Sequence, residues 1–123
     1  GEFTVNIALI KNGVPQGGVV YIPTKQIGYF TAEDGKAYKQ VGNNLPNEIK
    51  VCPKPADKIV VVASKSHMNT STEEYIASLG NNITLISAAS SLKFCMIAEG
   101  RADLYPRLAI QWSGIPQQAT PYY

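Results

Sequence analysis

Ile59-Val60-Val61-Val62-Ala63 has no polar residue on either of the two faces that a strand presents, and this run restricts the architecture more than any other feature. A strand that is apolar on both sides must be covered on both sides, which points to a parallel strand inside an α/β layer. The residues after it agree. Ser71-Thr72-Glu73-Glu74 offers a capping box for a helix through Leu79, closed by Gly80. Ile83-Thr84-Leu85-Ile86 reads as a second strand. Ala89-Ser90-Ser91 opens a second helix, with Leu92, Cys95, Met96 and Phe94 on or near its buried side, and Gly100 ends it. Asp103-Leu104-Tyr105 reads as one more short strand. Strand–helix–strand–helix–strand implies parallel pairing with right-handed crossovers.

The first half follows a different pattern. Residues 3–10 alternate and then become wholly apolar, Lys11-Asn12-Gly13 supplies a turn, and Gly18 to Ile22 returns as a second strand. Gly28 to Ala32 makes a third strand. Asp34-Gly35 is a two-residue hairpin signal leading to a fourth at Ala37-Tyr38-Lys39. The Pro46 to Pro55 stretch reads as loop and linker. The expected fold is therefore mixed α/β (α+β), an antiparallel meander followed by a strand-helix-strand-helix-strand unit.

A chain of 123 residues has room for one compact domain. A net charge of +2 is too small to argue for nucleic acid or a membrane surface, so any preference for phosphate must come from local placement of charge. Two cysteines, Cys52 and Cys95, make no disulfide framework, and Cys95 is expected to fill core space. There is neither an apolar run of membrane length nor a basic, hydrophobic leader, and the chain reads as cytoplasmic. Gly1-Glu2-Phe3 enters a strand at once, and Ile115 to Tyr123 has no period, which reads as a piece of something longer.

Two loops carry the candidate chemistry. Ser64-Lys65-Ser66-His67 and Ala89-Ser90-Ser91-Leu92-Lys93 each follow a parallel strand and precede a helix, where open α/β sheets bind ligands. Both offer hydroxyls, backbone N–H groups and a cation, the set needed to hold phosphate. Arg107, just after the third strand, is placed to act as a bidentate clamp on the same edge. The plainer alternatives remain open at this point. Ser90 or Ser91 is equally suited to a helix N-cap, His67 to a polar loop, and Lys93 to a solvated helix surface.

Ser90-Ser91-Leu92-Lys93-Phe94-Cys95 and Leu104-Tyr105-Pro106-Arg107 resemble segments of the CysQ-type 3′(2′),5′-bisphosphate nucleotidases, within the inositol monophosphatase superfamily. Gly1-Glu2-Phe3-Thr4-Val5-Asn6-Ile7-Ala8-Leu9-Ile10 and Ser64-Lys65-Ser66-His67 resemble further motifs of that family, with Lys65 in place of its arginine. Ala89 departs from the usual glycine. The resemblance implies that Ser64, His67, Ser90 and Lys93 contact a nucleotide substrate, adenosine 3′,5′-bisphosphate or AMP. It also implies Mg²⁺ held by carboxylates: a Glu-Glu pair, a D-P-L-D-G-T segment and a late W-D-x-A-A-G segment. The first two would lie before Gly1. In the third, Trp112 is followed by Ser113 instead of Asp.

Back-translation of Gln111 to Tyr123 and a shift of one base spells Met-Glu-Trp-Asp-Thr-Ala-Ala-Gly-His-Ala-Ile-Leu, the family's missing motif. A frameshift near Ala109 to Gln111 follows. The expected organisation is 1–50 antiparallel sheet, 51–58 linker, 59–109 substrate-binding α/β portion and 110–123 frameshifted tail. The chain is expected to be a nucleotidase fragment that keeps nucleotide-binding loops, holds no Mg²⁺, is inactive alone, and self-associates through exposed apolar edges. The alternatives are a fragment of an inositol monophosphatase-like or fructose-1,6-bisphosphatase-like enzyme, and a non-catalytic nucleotide- or phosphate-binding module.

Overall fold

The computed structural model describes residues 3–53, 57–64, 68–89 and 91–108. Five strands run β1 Val5–Lys11, β2 Val14–Ile22, β3 Ile27–Thr31, β4 Ala37–Val41 and β5 Asn47–Ile49. They form one antiparallel sheet in sequence order. The Asn12-Gly13 turn has φ of 53° and 77°. Positive φ at both central residues matches the right-handed twist of the strands that the turn joins.

Three details differ from the sequence reading. First, β2 begins at Val14 instead of Gly18 and runs through Pro15. Leu9 faces Gly17 while Ile10 faces Pro15, so the extra residue is bulged. Pro15 is tolerated because β3 pairs with β2 only from Val19 onward, leaving no ladder bond for its missing N–H to make on that side. Second, the Asp34-Gly35 hairpin has a three-residue loop. Gly35 N–H donates to Ala32 O and Ala32 N–H to Lys36 O, with Gly35 at φ 78°. Third, β5 pairs with β4 inside the stretch read as loop, with Ala37 opposite Ile49. Three residues are too few to show a period, but Ile49 packs against a core cluster.

The second half contains β6 Ile59–Ala63, α1 Thr70–Ser78, β7 Ile83–Ser87 and α2 Leu92–Ala98. β6 and β7 pair in parallel from Ile59 opposite Ile83 to Ala63 opposite Ser87. The expected third strand shrinks to a single parallel bridge between Val61 and Leu104. Leu104 N–H donates to Val60 O and Val62 N–H to Leu104 O. The next rung would need an N–H from residue 106, which is Pro106, so the ladder stops.

α2 lies between the two halves. Leu92 and Cys95 pack with Ile22 and Tyr29 of the meander, while Met96 packs with Val62, Ala102 and Tyr105. Burial raises the Cys95 thiol to about 11, as befits a core-filling residue. Phe94 differs from the expectation. It is largely exposed and meets Tyr105 edge-on, with centroids 5.3 Å apart. The helix closes where Gly100 takes φ 79°, and a Cβ there would stand 3.0 Å from Lys50 O. Both the left-handed backbone and a rigid carbonyl oppose any side chain at this position. Gly100→Ala is therefore expected to lose about 2 kcal/mol of stability in urea unfolding.

The outer part of the meander is open. Ile7 and Leu9 are 64% and 65% exposed, and Val5, Val19 and Tyr21 are also exposed. Ile7 and Val19 line an apolar trough together with Val20, Phe30 and, from α2, Phe94 and Ala98. No helix among the described residues is long and apolar enough to cross a membrane.

Candidate functional site

The carboxyl ends of β6 and β7 and the segment after Leu104 lie on one edge of the parallel unit, because all three run the same way. Ser64 stands at the end of β6. His67 and Ser90 lie outside the described residues. So do residues 110–123, on which the frameshift reading falls.

Lys93 is only 4% exposed. Its ammonium donates to Ala88 O at 3.3 Å and sits 5.3 Å from the Tyr105 ring centroid. This is not the solvated helix lysine that composition would suggest. Burial is the main cause holding its pKa below the ordinary lysine value, and the positive charge of Arg107 adds to it. Among the described residues no carboxylate pairs with it. Arg107 is exposed and shares a small cleft with Ser64, Thr72, Tyr105 and Pro106. The structure thus gathers Ser64, Lys93 and Arg107 at one edge. Lys93 and Arg107 are close enough for their positive charges to interact, and among the described residues no carboxylate pairs with Lys93, so the local potential at this edge is positive.

The hydroxyls expected at helix starts behave differently from the sequence reading. The cap of α1 is Asn69, whose Oδ1 accepts the Thr72 N–H at 2.8 Å, and Ser71 lies inside the helix. Asn and Ser cap almost equally well, and here tertiary contacts favour the earlier position. Asn69 Nδ2 donates to Leu108 O at 3.0 Å, and the Leu108 N–H donates to Thr72 Oγ1 at 3.2 Å.

Ser91 precedes α2 but makes no side-chain cap bond. Its Oγ donates to Asn6 Oδ1 at 2.6 Å and lies 2.8 Å from Thr4 Oγ1, while Asn6 Nδ2 donates to Thr4 Oγ1 at 3.1 Å. That ring of three side chains ties the edge strand β1 to the N-cap of α2, the helix that carries Lys93. Asn69 and Tyr105 had readable signals, as a cap residue and an aromatic. Thr72 had none, because nothing local marks a threonine for a distant backbone partner.

Two carboxylates, one at the end of α2 and one in the segment after it, are already committed. Glu99, whose side chain is 5% exposed, accepts from Tyr29 Oη at 3.0 Å, Lys39 Nζ at 2.9 Å and Arg101 Nη1 at 3.1 Å. Asp103 Oδ2 accepts the Val60 N–H at 2.7 Å. Among the described residues there is no group of three or more His, Cys, Asp or Glu side chains that could hold a metal ion. The described residues therefore do not fit a Mg²⁺ centre.

Comparison with known proteins supplies the remaining constraint. Residues 1–113 match the model of the inositol monophosphatase family. The 3′(2′),5′-bisphosphate nucleotidase CysQ of Salmonella typhimurium is 49% identical over 107 residues, covering 87% of this chain and 42% of that protein. The crystal structure of CysQ from Bacteroides thetaiotaomicron, a bacterial member of the inositol monophosphatase family, aligns with a TM-score of 0.75 at 42% identity, over 89% of this chain and 46% of that one. Mycobacterium tuberculosis SuhB, at 18% identity and a TM-score of 0.67 over 88% of this chain and 46% of that one, shares the fold. The chain spans about two-fifths of the length of the curated relatives that it matches.

Proposed function

The chain belongs to the inositol monophosphatase family, and on that premise we propose that it is part of a cytoplasmic, Mg²⁺-dependent 3′(2′),5′-bisphosphate nucleotidase, contributing the edge that holds the nucleotide. The observation that carries this reading is Lys93: a buried ammonium, backed by Tyr105 and the Ala88 carbonyl, with Arg107 beside it and Ser64 on the same edge. A buried cation without a carboxylate costs stability, and a phosphate would compensate that charge. Likeness to CysQ nucleotidases favours adenosine 3′,5′-bisphosphate and AMP over an inositol phosphate. In this reading residues 59–109 are the substrate portion, His67 and Ser90 complete it, and 110–123 are a frameshifted tail.

In that role Lys93 and Arg107 bind and orient the phosphate. No hydrolytic step is assigned to the described residues, since among them no group of three or more His, Cys, Asp or Glu side chains comes together. Two measurements on the 123-residue chain test this together. Titration with AMP, followed by NMR, is expected to move the signals of Ser64, Lys93 and Arg107, with a dissociation constant on the order of millimolar. Phosphate release from adenosine 3′,5′-bisphosphate with Mg²⁺ is expected to match the protein-free blank. Shifts confined to residues remote from this edge, or turnover that Lys93→Ala abolishes, would each overturn part of the reading. Tighter binding of inositol monophosphate than of AMP would favour the other branch of the family.

The open meander suggests a further property of the chain by itself. An edge strand with exposed Ile7, Leu9 and Ile10 offers unpaired backbone groups beside an apolar face. Self-association through this edge is expected, and light scattering at micromolar concentration checks it. A clean monomer would refute it.

A further inference from the structure

We propose that Asn69 and Thr72 are positioning residues: they clamp the backbone of Leu108 from both of its polar groups, so that the start of α1 and the segment carrying Arg107 share one frame. The proposal rests on the phosphate-binding reading of that edge for its purpose, but its geometry stands on separate observations.

The segment after Leu104 needs such a device. Its ladder to β6 ends at the Val61–Leu104 bridge, because Pro106 has no N–H to continue it. Arg107 therefore lies beyond the last sheet hydrogen bond. What holds it is burial on either side, with Pro106 among the most buried residues and Leu108 6% exposed, together with two side-chain bonds to Leu108. Thr72 Oγ1 takes the Leu108 N–H, and Asn69 Nδ2 supplies a donor to the Leu108 carbonyl. Both polar groups of that residue are satisfied from the N-cap and first turn of α1 instead of from a strand.

The placement of the two side chains also argues against a role in helix formation alone. Thr72 is 2% exposed. Valine would fill the same volume without burying a hydroxyl, so packing does not require the oxygen. Asn69 needs only Oδ1 to cap α1, and its Nδ2 is free to make the second bond. Asn69 caps α1 five residues after Ser64, while Leu108 follows Arg107 directly. One pair of bonds thus sets the position of the Arg107 segment relative to the start of α1.

The test uses Thr72→Val, Thr72→Ser and Asn69→Ser in the full 123-residue chain. Serine at residue 69 keeps an N-cap oxygen but has no amide to reach Leu108. Three quantities are read: the AMP affinity, ¹⁵N relaxation of the Arg107 side-chain Nε, and the melting temperature. The expected result is AMP binding weakened roughly three- to tenfold in Thr72→Val and Asn69→Ser, the range that one lost hydrogen bond spans. Arg107 Nε should become more mobile in both, and Thr72→Ser should restore both readouts.

Unchanged Arg107 relaxation in Thr72→Val and Asn69→Ser would overturn the proposal, even with a lowered melting temperature, since that is a structural role alone. Thr72→Ser behaving like Thr72→Val would overturn it as well. If the unmodified chain binds no AMP, the functional reading fails. Arg107 mobility then decides the clamp by itself, with a rise supporting it and no change refuting it.

Discussion

Lys93→Met is expected to weaken AMP binding by at least about tenfold, approaching a hundredfold, while leaving the melting temperature unchanged or raised. The two halves of this result have one cause. The ammonium is 4% exposed and pairs with no carboxylate among the described residues, so it is kept at a cost in desolvation. Methionine has similar length and volume without the charge, and replacing a buried charge by a well-packed apolar side chain is often neutral or stabilising. A charge-assisted bond to phosphate is worth about 1.5–3 kcal/mol, which sets the expected loss of affinity.

The pH dependence has a definite sign. The folded-state pKa of Lys93 lies below its ordinary 10.5, so in the window between the two values the unfolded chain binds more protons. Stability contributed by this group therefore rises as pH climbs through the lowered value, and AMP affinity falls over the same window as the ammonium is lost. A lysine placed for stability would do the reverse. Thermal melts and AMP titrations of both proteins across the alkaline range check this. A large drop in melting temperature with unaltered affinity would show Lys93 to be structural.

The second large effect is on stability. Glu99→Ala is expected to destabilise the chain by about 2–4 kcal/mol, since the carboxylate accepts from Tyr29, Lys39 and Arg101 at the junction of β3, β4 and the end of α2. Its removal leaves the Lys39 ammonium against the Tyr29 ring, 5.5 Å from the centroid, without a counter-charge. Burial by itself would raise the Glu99 pKa. The bonds from Lys39 and Arg101, the Lys39 charge and the Tyr29 hydroxyl outweigh it and hold the value below the ordinary 4.5.

The sign is the usual carboxylate one. The stabilisation is fully present above the unfolded-state value and is lost as pH falls through the lower folded-state value. Urea unfolding at neutral pH and near pH 3 should show a wide gap between Glu99→Ala and the parent at neutrality, and a narrower gap in acid. An equal gap at both would refute the assignment. Tyr29→Phe, which removes one of the three donors, should cost about 1 kcal/mol.

Local chemistry was legible wherever one residue or one short run suffices. Asn12-Gly13 names its turn because positive φ at two successive positions suits few other pairs. Gly100 marks the end of α2 for the same reason. The β-branched run 59–63 announces a strand covered on both faces, and Val61 and Val62 are fully buried. The proposed five-residue site was legible only as residue types behind parallel strands; of its members, Ser64, Lys93 and Arg107 lie at one edge, and His67 and Ser90 lie outside the described residues.

Distant partners explain what was not legible. Asn69 prevails over the Ser71 box because the Leu108 carbonyl rewards an amide at that position. Ser91 leaves its own helix uncapped because Asn6 and Thr4, more than eighty residues away, take its hydroxyl. The third strand stops at one bridge because a proline meets the rung where Val62 needs a donor, a conflict visible only once Leu104 is set beside Val61. Pattern and turn chemistry by themselves determined the mixed architecture, the parallel unit and the types of residue at its edge, since these depend on side-chain period and backbone φ. Only the tertiary structure decided that Lys93 is a buried cation and that Asn69 and Thr72 act on Leu108, because burial and long-range hydrogen bonds depend on which segments meet.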